Sequence, residues 1–188
     1  MDRVGEAMHA IERREFLPPT QRERAGLDVP LGIGHGATCS QPTTVATMLR
    51  LLGARPGHAV LDVGSGSGWT LALLDHLVTP GGTVVGVELE PALVTFARRN
   101  LTALLGDLAP RVQQAVPGRL GWPDDGPYDR ILVSAEALDV PAALVAQLAD
   151  GGRMVVPVRG RMTVVDRVGD DLRVEQHGAY TFVPLREE

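Results

Sequence analysis

Three glycines spaced two residues apart, Gly64, Gly66 and Gly68, follow a short apolar run that begins at Ala59. An apolar, leucine-rich segment, 71–78, comes directly after them. This order predicts a buried strand, a tight turn and a helix. Such a turn lets a ligand approach the main chain closely and leaves N–H groups free at the helix N-terminus. The stretch therefore predicts a site for a nucleoside-type cofactor.

A second apolar run, 83–87, ends in Glu88. In nucleotide sites, an acidic residue about 20 positions after the glycines accepts hydrogen bonds from ribose hydroxyls, and Glu88 suits that role. The GxGxG spacing differs from the GxGxxG of dinucleotide sites. It is commoner in methyltransferases that use S-adenosylmethionine (SAM), and it favours that cofactor.

Hydroxyl side chains follow a second glycine-rich stretch, in which three glycines occur within 32–36. This composition predicts a flexible or tightly turned loop. Thr38 and Ser40 come just before Pro42, and the helical pattern starts at Thr43. Ser40 suits the N-cap of that helix, and its hydroxyl also suits presentation to a ligand. Both interpretations stay open at this point.

The composition excludes several kinds of chemistry. All 18 basic residues are arginine, which excludes lysine Schiff bases and the lysine-containing phosphate loop. The single cysteine, Cys39, excludes an intramolecular disulfide and a cysteine-based zinc site, and we expect no metal. A net charge of −5 argues against a nucleic-acid partner. Arginines 13, 14, 22 and 24 form a weak basic cluster that we interpret as a solvated face.

No apolar run reaches the length of a membrane span, and the first residues do not resemble a signal peptide. We therefore expect a cytoplasmic protein with no membrane partner, and we expect it to be a monomer.

Apolar segments of strand length alternate with helical patterns from residue 58 onward. This alternation predicts right-handed βαβ units and an α/β fold with a mainly parallel sheet and a C-terminal antiparallel pair. We expect a single domain, 1–188, in which 1–54 supply N-terminal helices and the glycine-rich loop and 55–188 form a three-layer Rossmann-like core. The predicted strands are 58–63, 83–88, 112–116, 129–134, 153–158, 162–168 and 172–182, and the predicted helices include 2–16, 91–101 and 141–148.

Ligands bind outside the carboxyl ends of the strands in an open α/β sheet. The predicted strand ends bring the glycine turn, Glu88 and two later loops around one crevice. We therefore predict a cofactor site built from Asp62, Gly64, Ser65, Gly66, Gly68, Glu88, Leu89, Pro117, Gly118 and Ser134.

Four parts of the chain resemble the protein-L-isoaspartate (D-aspartate) O-methyltransferase family, and together they span nearly its whole length. Residues 30–42 are similar to the family's substrate loop, with the TxSxP pattern formed by Thr38, Ser40 and Pro42. Residues 60–69 and 85–88 resemble its SAM loop and ribose-binding strand end. Residues 127–133, 147–158 and 182–185 resemble its later blocks. The substrate loop and the late Phe-Val-Pro-Leu segment are much more specific together than the SAM elements alone.

The resemblance implies methyl transfer from SAM to the free side carboxylate of an isoaspartyl residue in a damaged protein, with S-adenosylhomocysteine as the product. The ester then collapses to a succinimide, which hydrolyses partly to aspartate. The resemblance also implies that Ser40 is the active-site serine, with Thr38 beside it in the loop. Its implied partner is a peptide or protein that carries isoaspartate.

Two departures from the family pattern keep other functions open. Val116-Pro117-Gly118 stands where the family usually has Gly-Asp-Gly, whose Asp binds the adenine amine. We expect that contact to be missing or to come from Asp124, Asp125 or the main chain. The pair 43–44 is Thr-Thr where the family often has bulkier residues. A second hypothesis is therefore an aspartyl O-methyltransferase for a dedicated peptide or natural product, and a third is a non-catalytic binding protein that has lost SAM.

Overall fold

A computed structural model describes residues 2–186, and from residue 59 its strands alternate with helices. The N-terminal part contains α1 (Arg3–Ala10), two 3-10 helices (Arg13–Phe16 and Pro19–Arg24), β1 (Leu31–Gly34), β2 (Ala37–Cys39) and α2 (Pro42–Leu52). The first half of the core contains β3 (Ala59–Val63), α3 (Trp69–Val78), β4 (Thr83–Glu88), α4 (Pro91–Leu105) and β5 (Arg111–Gln114). The second half contains β6 (Tyr128–Val133), α5 (Ala142–Val145), β7 (Leu148–Val158), β8 (Arg161–Val168) and β9 (Asp171–Ala179); short 3-10 helices lie at Gly106–Leu108 and Pro123–Asp125.

The main sheet has seven strands in the order β5-β4-β3-β6-β7-β8-β9. The pairs from β5 to β7 are parallel, whereas β8 pairs antiparallel with both β7 and β9. The predicted α/β fold, with its mainly parallel sheet and C-terminal antiparallel pair, is confirmed. From β3 the chain builds outward to one side, and with β6 it starts again on the other side. This reversal creates a crevice at the carboxyl ends of β3 and β6.

Alternate residues of the central strands face two separate apolar clusters. Val60 packs with residues of α1 to α4, whereas its neighbour Leu61 packs on the opposite face with Leu144 of α5. Successive side chains of a strand point to opposite faces, so both faces of the sheet are buried. The reversal at β3 explains this division, because right-handed crossovers in opposite directions place their helices on opposite faces.

The predicted helix 141–148 is wrong in its extent. The structure has a single helical turn, Ala142–Val145, and β7 begins already at Leu148, opposite Tyr128. Gln147 explains the early end of the helix, because its carbonyl accepts from Tyr128 N–H at 2.8 Å and its side-chain amide bonds to the loop before β6. Helical periodicity cannot report such distant partners.

Candidate active site

One cavity of about 560 Å³ opens at the carboxyl ends of β3, β4 and β6. This is the point where the strand order reverses, which is where ligands bind in open α/β sheets. Its wall is formed by the β1–β2 hairpin, the N-terminal end of α2, the glycine turn, the ends of β4 and β6, and residues 181–186. A volume of this size is typical of a site that encloses a small molecule.

Glu88 lies at the end of β4 in the cavity wall, with 9% of its surface exposed. One carboxylate oxygen accepts a hydrogen bond from Gly66 N–H at 2.8 Å, and the other accepts one from Glu90 N–H at 3.0 Å. Gly64 and Gly66 have positive φ angles of 82° and 53°, a conformation that favours glycine. The two main-chain donors hold the carboxylate in place. Each oxygen keeps a lone pair that can accept from a ligand hydroxyl.

Part of the predicted cofactor site lies in the cavity wall, namely Gly64, Gly66, Glu88, Leu89 and Ser134. Three other predicted residues lie in the glycine turn or, as Asp62 does, in the strand before it. The Ser65 hydroxyl donates a hydrogen bond to the main-chain carbonyl of Asp62 at 3.2 Å. Gly68, at the start of α3, packs closely against Leu101 of α4. Asp62, Ser65 and Gly68 do not line the cavity, so their place in the cofactor site stays a prediction.

Asp62 is fully buried at the end of β3. Thr70 donates its hydroxyl to one carboxyl oxygen at 3.0 Å, whereas the other oxygen has no partner among residues 2–186. Burial raises the pKa of Asp62 from 3.8 to about 7; the Thr70 hydrogen bond opposes this rise and the charge of Glu88 adds to it. A buried carboxyl of this kind makes the stability of the fold depend on pH.

We expect the free energy of unfolding to fall as the pH rises from about 4 to about 7. In this window the native state holds a proton on Asp62 that the unfolded chain releases, and each pH unit costs about 1.4 kcal/mol. Asp62→Asn keeps an oxygen that can accept from Thr70 and cannot ionise. The stability of this variant relative to the wild type should therefore increase as the pH rises through this range. Urea unfolding at about pH 5 and about pH 8 measures the difference. The same pH dependence in both proteins would contradict the prediction.

Residues 31–39 form an antiparallel hairpin rather than the loop that their glycines predict. Its tip, 34–36, has positive φ at every residue, which allows the chain to reverse tightly. Thr38 lies in β2 and Ser40 directly follows it, and both line the cavity. The predicted N-cap role of Ser40 is wrong, because Gln41 occupies the N-cap position and α2 begins at Pro42. The Ser40 hydroxyl is therefore available to a ligand.

Arg13 anchors the residue before Ser40. Only 6% of the surface of Arg13 is exposed. Its guanidinium donates hydrogen bonds to the main-chain carbonyls of residues 25, 27, 29 and 39, at 2.8 to 3.3 Å. It also lies 5.6 Å from the ring centroid of Trp69, at cation–π distance. The solvated-face interpretation is therefore wrong for Arg13. Sequence alone could not distinguish it from Arg14, which is exposed.

Asp28 anchors the residues after Ser40. Its carboxylate accepts from Thr43 N–H at 2.9 Å, from the Thr43 hydroxyl at 2.8 Å and from the Gln41 side chain at 3.0 Å. The hydrogen bonds from Gln41 and then Thr43 lower the pKa of Asp28. A carboxylate here also interacts favourably with the N-terminus of α2. Ser40 thus lies between Cys39, whose carbonyl is hydrogen-bonded to Arg13, and Gln41, whose side chain is hydrogen-bonded to Asp28.

The loop after β5 presents a mostly apolar wall to the cavity. Ala115, Val116, Leu120 and Gly121 line it together with Arg119, whereas Pro117 and Gly118 do not, so the place of those two residues in the cofactor site stays a prediction. Val116 pairs with Arg119 through the main chain, and Pro117 and Gly118 form the turn between them. The two acidic candidates for an adenine contact are engaged elsewhere, because Asp124 pairs with Arg119 and Asp125 with Arg111. Neither carboxylate lines the cavity.

The C-terminal segment 181–186 is a part of the cavity wall that the site prediction missed. Val183 C=O accepts a hydrogen bond from Glu136 N–H, and Leu185 N–H donates one to Glu136 C=O, both at 2.8 Å. The segment therefore lies beside the residues that follow β6 and is hydrogen-bonded to them. The apolar residues at 182–185 were the available signal in the sequence. They carry no periodicity that reveals this pairing.

A second missed contact crosses the cavity mouth. His35 Nδ1 at the hairpin tip lies 3.6 Å from Glu90 Oε1 at the start of α4. Both residues line the cavity. The contact connects the hairpin that carries Ser40 with the side of the cavity that carries Glu88.

Within residues 2–186, no group of three or more His, Cys, Asp and Glu side chains is arranged to hold a metal ion. No helix in that range is both long and apolar enough to cross a membrane.

Comparison with known proteins assigns the family. The model of the protein-L-isoaspartate (D-aspartate) O-methyltransferase family matches residues 1–188. A protein-L-isoaspartate O-methyltransferase of Methanopyrus kandleri is 47% identical over 98% of this chain and 83% of its own length. One from Methanothrix thermoacetophila is 43% identical over 98% and 88%. The crystal structure of a Plasmodium falciparum family member in complex with S-adenosyl-L-homocysteine superposes with a TM-score of 0.88 at 25% identity, covering 100% of this chain and 92% of that one. The chain therefore belongs to the protein-L-isoaspartate (D-aspartate) O-methyltransferase family.

Proposed function

We propose that this protein methylates the free side carboxylate of L-isoaspartyl residues in peptides and proteins, with SAM as the methyl donor. The observation that carries the proposal is a single cavity that holds both the Thr38 and Ser40 hydroxyls and the Glu88 carboxylate beside the glycine turn. The methyl ester closes to a succinimide, whose hydrolysis returns part of the damaged residue to aspartate. The family membership of the chain supports this activity.

The residues of the cavity fit the cofactor. Glu88 offers fixed carboxylate oxygens for ribose hydroxyls, and Gly64 and Gly66 leave the main chain open to close approach. We propose that Leu89 and Ser134 complete this side. Residues 1–54 then form the substrate side and 55–188 the cofactor side of a single domain. When bound, SAM supplies a methyl group that its sulfonium centre has already activated.

The substrate side requires orientation rather than proton transfer. A side-chain carboxylate has an ordinary pKa of about 3.9, so at neutral pH it is already a nucleophile and no general base is needed. Catalysis then depends on holding one carboxylate oxygen at near-attack distance, roughly 3–3.5 Å. We propose that the hydroxyls of Ser40 and Thr38 donate hydrogen bonds that orient this carboxylate. Neutral donors do so without the strong loss of nucleophilicity that a cationic partner would cause.

A methyl-transfer assay with an isoaspartyl peptide and its aspartyl twin tests the proposal. We expect transfer to the isoaspartyl peptide only. Strong preference for the aspartyl twin would instead support a dedicated aspartyl O-methyltransferase. Lack of S-adenosylhomocysteine binding at millimolar concentration would support a non-catalytic binding protein.

Ser40→Ala should lower turnover roughly ten- to hundredfold, the scale of one hydrogen bond to a charged group. Because Ser40 makes no cap of α2, the affinity for S-adenosylhomocysteine should stay within about twofold of the wild type. Steady-state kinetics and calorimetry separate the two effects. An equal loss of both would mean that Ser40 supports the structure of the site rather than the substrate.

A further inference from the structure

The last strand of the sheet, β9, leaves one long edge open. It pairs with β8 on one side, and within residues 2–186 no strand pairs with its other side. Residues 171–176 are exposed, and two of them are apolar: Leu172 and Val174 have 45% and 51% of their surface exposed. The strand contains no proline that would prevent pairing. An open and regular edge of this kind is a template for another strand.

Alternate residues of β9 direct their main-chain groups to this open edge. The turn between β8 and β9 is two residues long, 169–170, and Val168 pairs with Asp171 across it. Because a two-residue hairpin closes on a hydrogen-bonded pair, residues 171, 173, 175 and 177 bond to β8. The hairpin between β7 and β8 agrees, since Val158 pairs with Arg161 across its own two-residue turn, and this directs residues 162, 164 and 166 of β8 toward β9. The N–H and C=O groups of residues 172, 174 and 176 therefore point to the open edge.

A second copy of this chain presents the same edge, and a two-fold axis would bring the two edges together antiparallel. In such a pair, residues that point to the edge stand opposite each other. A register centred on Arg173 places two arginines opposite each other, and one centred on Glu175 does the same with two glutamates. Like charges directly opposite are destabilising, so charge argues against both registers.

Two further registers fail for reasons of length and shape. One centred on Leu172 joins only the first residues of the strand, because β9 begins at Asp171. One centred on Gln176 includes Gly178, which has a φ of 52° and lies opposite a shift in the pairing with β8. Such an irregularity interrupts a regular ladder.

The register centred on Val174 has none of these faults. It places Arg173 opposite Glu175 of the second copy, and the two-fold axis repeats this pair. Opposite charges across a strand pair are stabilising. At each end of the ladder, Asp171 stands opposite His177 of the second copy.

Both faces of the sheet would continue across this interface. On the charged face, Arg173 lies opposite Asp166, whose carboxylate accepts hydrogen bonds from Arg153 of β7 at 2.6 and 2.8 Å. The glutamate of the second copy would extend this alternation of charge. On the other face, Val174 lies opposite the buried Val165, and its equivalent in the second copy would cover its exposed surface.

We propose that two copies of this protein associate through β9, in the register centred on Val174, and form one sheet that continues through both molecules. The ladder adds about six main-chain hydrogen bonds. A single strand pair is a narrow interface, so we expect a weak dimer that forms as the concentration rises. This inference concerns assembly rather than catalysis, and it replaces the monomer that we expected from the sequence.

Sedimentation velocity of the wild type between about 5 and about 200 µM should show a rise in mass from one chain toward two. Arg173→Glu and Glu175→Arg each place like charges in both symmetric pairs, so each should raise the dissociation constant at least about tenfold. An equimolar mixture of the two variants brings opposite charges together again in a heterodimer. The mixture, and likewise the double variant, should associate with a dissociation constant within about threefold of that of the wild type.

Arg99→Glu is the matched control. Arg99 is exposed on α4, which packs beside β5 at the opposite end of the sheet, and its replacement makes the same change in net charge. The control should keep the dissociation constant of the wild type. At about 1 µM, the midpoint of thermal unfolding of every variant should lie within about 3 °C of the wild type, which shows that the variants are folded.

A wild type that stays monomeric over the whole concentration range would overturn the inference. So would single variants that associate as tightly as the wild type, or a mixture that associates no better than its two components. None of these measurements involves a substrate, so failure of the proposed function would leave them unchanged.

Discussion

Replacing Glu88 with alanine is expected to weaken binding of S-adenosylhomocysteine by about 1.5–3 kcal/mol, or roughly ten- to 150-fold. The carboxylate is buried at the end of β4 and is held by Gly66 N–H and Glu90 N–H. Its remaining lone pairs are therefore fixed in direction before the ribose hydroxyls arrive, so little ordering is needed on binding. Alanine removes these acceptors and also leaves the two main-chain donors without their partner.

Calorimetric titration of Glu88→Ala measures the loss. Glu88→Gln keeps the size but offers only one acceptor oxygen, so we expect an intermediate affinity. Glu90→Ala removes a second carboxylate of the cavity wall but keeps the Glu90 N–H that binds Glu88, so we expect a smaller loss of affinity than for Glu88→Ala. An affinity of Glu88→Ala equal to that of the wild type would refute the ribose assignment.

Replacing Arg13 with methionine is expected to lower the free energy of unfolding by about 2–4 kcal/mol. The buried guanidinium donates to four main-chain carbonyls, and the variant loses all four hydrogen bonds, including the buried one to the carbonyl of Cys39. For a chain of this length the midpoint of thermal unfolding should fall by roughly 4–16 °C. Because Cys39 precedes Ser40, we also expect a drop in kcat that exceeds any change in the affinity for S-adenosylhomocysteine.

Calorimetry and methyl-transfer kinetics test this prediction at a temperature where both proteins are folded. Arg14→Met is the matched control, because Arg14 is the exposed neighbour in the same 3-10 helix and should change neither quantity. Arg13→Lys keeps the charge but lacks the planar fork of donors, so it should recover only part of the stability. A methionine variant as stable as the Arg14 control would show that solvent replaces the lost hydrogen bonds.

Local sequence pattern was sufficient to predict the glycine turn and the acidic strand end of the cavity. The predicted strand 83–88 has the observed bounds, and the glycine turn follows β3 as its spacing indicates. Each of these features depends on residues that are adjacent in the chain: an apolar run, a glycine that must have positive φ, and an acidic residue at a strand end. The same logic brought Gly64, Gly66 and Glu88 to one crevice, because the carboxyl ends of parallel strands meet at one edge of a sheet.

The geometry of the substrate side depends on hydrogen-bond partners that are distant in the chain. Ser40 looked like a helix cap, yet Asp28, 15 residues before Thr43, binds the first free N–H of α2 and leaves the serine to the cavity. Arg13 looked like a surface charge, yet it satisfies carbonyls up to 26 residues away. The family resemblance named Ser40 and Thr38, but it could not tell what holds them in place.

The sequence by itself thus determined the fold class, the glycine turn and the acidic strand end, because these follow from periodicity, glycine conformation and the side-chain types of neighbouring residues. Tertiary structure alone decided that Asp62 is buried, that Val116 lines the cavity whereas Pro117 does not, and that residues 181–186 form part of its wall. Those outcomes depend on which buried polar group finds which hydrogen-bond partner across the fold, and a one-dimensional pattern does not carry that information.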